Sequence, residues 1–162
     1  MRTERQLLLL AMLGEIRDFV PHDQYAMVAK SVGKSEEGAC EYTDAIERLH
    51  GIITTMPVTY QQDGMGDDAV VYLHYFCGPF NWFITEKDKD GGVDQAYGLT
   101  DLRGEPELGY ISIREICAPK LAACITLDSH ILEVCRLQSV PYMNLDFHFA
   151  TRTLREVKEK RQ

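Results

Sequence analysis

This sequence lacks the short motifs of nucleotide chemistry. No G-x-G-x-x-G occurs, and Gly91-Gly92 is not followed by the Lys-Ser/Thr of a phosphate loop. No serine or cysteine stands in a motif that would activate it as a nucleophile. Long apolar runs are missing too. The longest uncharged one, Leu7–Leu13, falls far short of the roughly 20 residues of a membrane span. Basic residues are in the minority, 17 Lys and Arg against 25 Asp and Glu, and the net charge of −8 disfavours contact with a phosphate backbone. The five cysteines, at 40, 77, 117, 124 and 135, include no close Cys-x-x-Cys pair of structural zinc. Their number is odd and no export signal is convincing, so reduced thiols acting as small apolar residues are expected. The opening MRTERQLLLLAMLG has the outline of a signal peptide, but Glu15, Arg17 and Asp18 follow at once and no small-x-small cleavage site is visible. A cytoplasmic protein without a membrane segment is the expectation.

What is present is an ordinary globular composition, 45% hydrophobic and 26% charged over 162 residues. That is enough chain for one core and little for two. The charge is unevenly placed. Residues 1–57 carry net −3, residues 58–111 net −7 and residues 112–162 net +2. The acidic middle block would attract a basic partner.

The first third reads as helical. Leu9, Leu13, Ile16 and Val20 form one stripe, ended by Pro21. Asp23 is the expected N-cap of a short second helix with Tyr25, Val28, Ala29 and Val32 inward, closed by Gly33. A third helix is expected from about Glu36 to Ile53, with Tyr42, Ile46, Leu49 and Ile53 inward. The segment 28–53 faintly suggests a helix-turn-helix. Its would-be reading helix carries Glu36, Glu37, Glu41, Asp44 and Glu47, which oppose phosphate, so a plain helical layer is expected.

From Ala69 to Ile113 the chain reads as a four-stranded antiparallel meander. Val70 to Cys77 is apolar on both faces and should lie centrally. Gly78 to Asn81 is a turn signal. The next strand sets Trp82, Ile84 and Glu86 on one face and Phe83 and Thr85 on the other. A charged loop, 87–94, leads to strands at about 95–103 and 107–111. Ser112 and Glu115 predict a capping box with Ile111 and Ile116 as its staple. Residues 119–143 read as an irregular helical excursion. Leu145, Phe147 and Phe149 predict a last strand, and Thr153 with Glu156 caps a terminal helix.

Several constellations carry candidate chemistry. Glu86, Asp88, Asp90 and Asp94 fall at positions one, three, five and nine of a calcium-type loop, with Gly91 at six. Tyr97 occupies the twelfth position, where a bidentate glutamate belongs, so a solvated turn is the expectation. Glu86, Asp88, Asp94 and Glu107 would form a site only if neighbouring strands gather them. Cys117, Cys124, His130 and Cys135 have spacings unlike a zinc knuckle. His74 lies among aromatics and reads as a hydrogen-bonded core histidine. Trp82, Tyr97 and Tyr110 are candidates for an aromatic recognition surface, with core packing the expected role of at least two.

The segments TYQQDGMGDDAVVYLHYF, NWFITEKD, AYGLTDL, ELGYISIREI and LDFHFATRTLREV together resemble the bacterial family called domain of unknown function 2958. The resemblance rests on Trp82 to Asp88, Tyr97-Gly98-Leu99 and Glu107 to Ser112. It covers 56–117 and 144–157, leaving 1–55 as a helical prefix and 118–143 as an insertion. It implies a compact α+β domain carried by plasmids, phages and other mobile elements. It implies no activity, cofactor or catalytic residue.

The resulting expectation is a single α+β domain, with an antiparallel meander of about five strands packed against an N-terminal helical layer. The expected function is a non-catalytic acidic protein-binding module, acting as an inhibitor of a host nucleic-acid-handling or defence complex. Its expected partner is a protein with a basic surface, without direct nucleic-acid or membrane contact. Trp82, Glu86, Asp88, Asp90, Asp94, Tyr97, Glu107 and Tyr110 are the candidate binding residues. No catalytic residue, metal or cofactor is assigned. The alternative is a metal-assisted enzyme acting on nucleotides or nucleic acid through Glu86, Asp88 and Glu107. A homodimer through the leucine-rich first helix is a further arrangement.

Overall fold

The computed structural model describes residues 1–34, 41–102, 104–118 and 143–160. Helix α1 (Glu4–Glu15) starts at Thr3, whose side chain and Gln6 form a reciprocal capping box. Its inner stripe of Leu9 and Leu13, continued by Ile16 and Val20, is buried. A 3-10 turn at Arg17–Phe19 leads to α2 (His22–Lys34). Asp23 sits inside the first turn of α2 rather than capping it, where its charge favours the helix dipole. Gly33 lies within α2 rather than closing it. Helix α3 (Thr43–Thr55) buries Ala45, Ile46, Leu49 and Ile53. The expected start of that helix at Glu36 lies outside the described residues.

The meander is present: β2 (Leu73–Cys77), β3 (Phe80–Glu86), β4 (Ala96–Leu102) and β5 (Glu105–Ile111). A short strand β6 (Asn144–Leu145) pairs with β2, giving a five-stranded antiparallel sheet in the order β5-β4-β3-β2-β6. Beyond β6 the side-chain amide of Gln24 takes over the role of a strand. It donates to the Leu145 carbonyl at 2.9 Å and accepts the Leu145 N–H at 2.8 Å.

Two expectations about strand continuity are corrected. The stretch from Val70 is split, because β1 (Val70–Val71) leaves the main sheet and pairs with β7 (Arg152–Thr153) in a separate ribbon. The last strand stops at Leu145. Phe147 and Phe149 lie in an irregular segment instead, their carbonyls bound by the Arg48 guanidinium, at 2.7 Å for Phe149. Both rings are nonetheless buried, so the apolar alternation was real although its backbone pairing is supplied by Arg48.

The sheet is covered on both faces. Leu73, Tyr75, Trp82, Ile84, Ala96 and Ile111 face the N-terminal helices and α4 (Ile113–Cys117) in the main core. Phe83 and Leu99 face a smaller second core with Ala69, Val71 and Phe149, closed by Leu154 and Val157 of α5 (Leu154–Glu159). Ser112 caps α4 through the Glu115 N–H, and Thr153 with Glu156 forms the reciprocal box of α5. His74 fits the core reading: its ring stacks on Phe83 at 4.6 Å and its nitrogens meet Asn81 and Asp146. Buried Tyr75 donates to the Phe19 carbonyl at 2.6 Å, tying sheet to helices, and burial pushes its hydroxyl well above the ordinary tyrosine range. Cys77 and Cys117 are buried free thiols, and burial raises the Cys117 thiol as well. The proposed partners Cys124, His130 and Cys135, and the expected helices of 119–142, lie outside the described residues.

A single irregularity in β3 decides which way Glu86 points. Ile84 pairs with Gly98, but Glu86 pairs with Tyr97, so Thr85 is an extra residue in β3. This bulge turns Glu86 onto the face of Phe83, opposite the face that strict alternation with Trp82 and Ile84 assigns to it. It also presses β3 against β4. A Cβ on Gly98 would lie 2.0 Å from the Phe83 carbonyl oxygen, whereas one on Gly109 would meet nothing within 4 Å. Gly98→Ala should therefore destabilise the protein by about 3 kcal/mol in urea unfolding, against less than about 0.5 kcal/mol for Gly109→Ala. Equal effects would contradict the close approach at the bulge.

Candidate functional site

The bulge places Glu86 beneath a loop of residues 57–68 that follows α3. Pro57 and Thr59 fasten this loop to the end of β3: the Lys87 N–H donates to the Pro57 carbonyl at 2.9 Å, and the Thr59 N–H to the Lys87 carbonyl at 2.8 Å. Lys87 itself reaches back and donates its Nζ to the Ile53 carbonyl at 2.7 Å, closing the C-terminus of α3. Partial burial lowers the affinity of this amine for its proton.

Glu86 is only 4% exposed, and its carboxylate accepts two backbone N–H groups, one per oxygen, from Tyr60 (3.3 Å) and Gln62. Among the described residues no cation forms an ion pair with it. Backbone amides thus supply the compensation that a buried carboxylate requires. Gln62 locks the arrangement. Its side-chain oxygen accepts from the Val70 N–H at 2.7 Å, and its nitrogen donates to the Val70 and Thr85 carbonyls at 2.9 and 2.8 Å. The last of these belongs to the bulge residue.

Tyr60 holds a left-handed backbone, φ +78°, which costs a non-glycine residue about 1 kcal/mol or more. The conformation aims its N–H at Glu86 and lets its hydroxyl meet that of Tyr110 at 2.9 Å. Tyr110 is cross-strand from Tyr97, and the two rings stand at 77° with centroids 5.6 Å apart, forming a corner rather than a stack. Together with Asp63, Ala69, Leu108 and Leu154 these groups enclose a cleft of about 530 Å³.

The candidate residues separate in this geometry. Glu86, Tyr97 and Tyr110 converge on the cleft. Trp82 is 5% exposed in the main core and joins no surface. Asp88 and Asp90 organise their own turn, accepting the N–H groups of Gln95 (3.0 Å) and Gly92 (2.7 Å). Asp94 pairs with Arg114 at 2.6 Å, and the guanidinium holds that carboxyl below its ordinary value. On β5, Glu107 is cross-strand from Thr100; it alternates with Leu108 and so points away from the cleft. The four carboxylates Glu86, Asp88, Asp94 and Glu107 therefore do not gather. Among the described residues no group of three or more His, Cys, Asp or Glu is arranged to hold a metal ion. Tyr60, Gln62 and Asp63 were not singled out from sequence. The signals in the sequence are the TYQQDG stretch and the closely spaced Gly64 and Gly66; in the structure both glycines have positive φ.

Residues 47–136 match a family model described as a protein of unknown function (DUF2958). The chain belongs to this family. The DUF2958 match begins in α3, takes in the cleft loop and the whole meander, and continues through 118–136, with the first two helices outside it. No curated protein and no solved structure matches the chain significantly. No helix among the described residues is long and apolar enough to cross a membrane.

The hydrogen bond between the Tyr110 and Tyr60 hydroxyls, more than any other contact, raises Tyr110 above the ordinary tyrosine range, with the neighbouring Glu86 charge adding to the effect. The sign is that of a raised acid: this contribution to stability is complete below about pH 10 and is lost as the pH rises through the folded value. In Tyr60→Phe, Tyr110 should ionise at lower pH than in the parent, followed by ¹³C NMR of the labelled tyrosine Cζ. An unchanged Tyr110 titration would contradict the hydroxyl pair.

Proposed function

We propose that this chain is a non-catalytic binding module that presents the Glu86 cleft to a basic surface of a partner protein. The observation carrying this reading is the chemistry of the lining: among the described residues it holds two carboxylates, Glu86 and Asp63, three tyrosines and no lysine, arginine or histidine. Such a lining favours cationic groups, and tyrosines supply apolar area with a polar tip, the composition of protein-contact centres. The rim is accessible, with Tyr60, Leu108 and Tyr110 exposed.

The resemblance to proteins of plasmids and phages extends this reading. On that basis the proposed partner is a host nucleic-acid-handling or defence complex in the cytoplasm, and the proposed consequence of binding is its inhibition. The metal-assisted alternative receives no comparable support, because Asp88 and Glu107 are committed away from Glu86.

The test is fluorescence anisotropy of a labelled peptide of alternating lysine and arginine, at about 50 and about 300 mM salt. Binding should weaken with salt. Tyr110→Ala should reduce affinity about tenfold, and Glu107→Gln less than about twofold. Salt-independent binding would remove the electrostatic basis of the contact, and equal losses for the two variants would place the binding outside the cleft.

A further inference from the structure

We infer that the group received by the cleft is the guanidinium of an arginine side chain. This rests on the reading of the cleft as a contact site for a basic partner, and it names the chemistry of the contact. Each Glu86 oxygen accepts one N–H from the 57–68 loop, so each retains acceptor capacity. Asp63 adds a second acceptor-only group, and whichever hydroxyl of the Tyr60–Tyr110 pair donates, both oxygens keep a lone pair. Both N–H donors of the Gln62 side-chain amide are spent on Val70 and Thr85, so it offers the cleft no donor. Among the described residues the lining therefore carries two acceptor-only carboxylates and no cationic donor.

A quaternary ammonium would satisfy the aromatic walls but donate no hydrogen bond to the carboxylates. A lysine ammonium has three donors and no planar face. A guanidinium has five donors in a fixed fork that matches a carboxylate, and its flat faces stack on aromatic rings. The corner formed by Tyr97 and Tyr110 offers such a ring beside Glu86. The depth of the carboxylate adds discrimination: Glu86 is 4% exposed, so a ligand must shed water to reach it, and guanidinium is more weakly hydrated than ammonium.

The experiment is an NMR titration of the ¹⁵N-labelled chain with N-acetyl-arginine amide, N-acetyl-lysine amide and the neutral isostere N-acetyl-citrulline amide. The Tyr60 and Gln62 amides, which share the carboxylate with the ligand, are the reporters. The arginine compound should shift them with saturation in about the millimolar range, at least tenfold tighter than the lysine compound, and citrulline should leave them unmoved. Glu86→Gln should abolish the response. Tyr110→Leu, at an exposed rim position that leaves the fold intact, should weaken it about fivefold or more. Equal responses to arginine and lysine, or a response that survives both variants, would overturn the inference. If the basic peptide binds at the cleft and the arginine compound moves neither reporter, the guanidinium assignment fails while the binding-module reading stands. If the peptide does not bind, the failure lies in that reading instead.

Discussion

One extra residue in β3 determines the rest of the site. Without the bulge at Thr85, Glu86 would continue the alternation of Trp82 and Ile84 and enter the apolar core, where an ionised carboxylate has no compensation. With it, Glu86 emerges on the opposite face and is met by the N–H groups of Tyr60 and Gln62. Each neighbouring feature serves that contact. Gly98 makes room for the displaced β3 backbone, Gln62 binds the carbonyl of the bulge residue, and Tyr60 accepts a left-handed backbone to aim its N–H. The strained tyrosine then carries its hydroxyl to Tyr110. The arrangement of the cleft is a consequence of satisfying one buried charge.

The negative charge of the meander region looks different once its acids are placed. Asp67 and Asp68 pair with Lys158 (2.5 Å) and Arg155 (3.0 Å), so α5 is clamped over the loop by side chains from the basic last third of the chain. Asp94 pairs with Arg114, Asp101 accepts the Gly104 N–H, and Asp88 and Asp90 hold their own turn. Much of the acidic block thus makes local structure and joins the ends of the domain. Exposed pairs of this kind contribute little stability each, but they set which carboxylates stay available. Glu86 and Asp63 are the carboxylates that line the cleft, while Glu105 and Glu107 stay exposed on β5.

Periodicity made the helices and the meander legible because both depend on burial repeated along the chain. The stripe Leu9, Leu13, Ile16 and the apolar run through Leu73, Tyr75 and Cys77 are buried as their spacing implies. The Ser112 N-cap and the Thr153 capping box are local chemistry and equally readable, although at Ser112 only the serine half of the expected box forms. The bulge was not readable, since an added residue leaves the composition of β3 unchanged and only the pairing with Tyr97 reveals it. Strict alternation therefore puts Glu86 on the wrong face. Gln62 escaped notice for a related reason: a polar loop residue whose partners, Val70 and Thr85, lie 8 and 23 positions away carries no periodic signal. Phe147 and Phe149 alternate like strand residues yet lack a strand partner among the described residues, because Arg48 satisfies their carbonyls from α3.

The Glu86 carboxylate organises the 57–68 loop through two backbone hydrogen bonds, and the whole cleft depends on them. Residue-resolved hydrogen exchange under native conditions, on the parent chain and on Glu86→Ala, tests this dependence most directly. The Tyr60 and Gln62 amides should be protected in the parent and lose that protection in the variant, while the amides between β3 and β4 remain slow. Rapid exchange at Tyr60 and Gln62 in the parent, or protection that survives loss of the carboxylate, would contradict it.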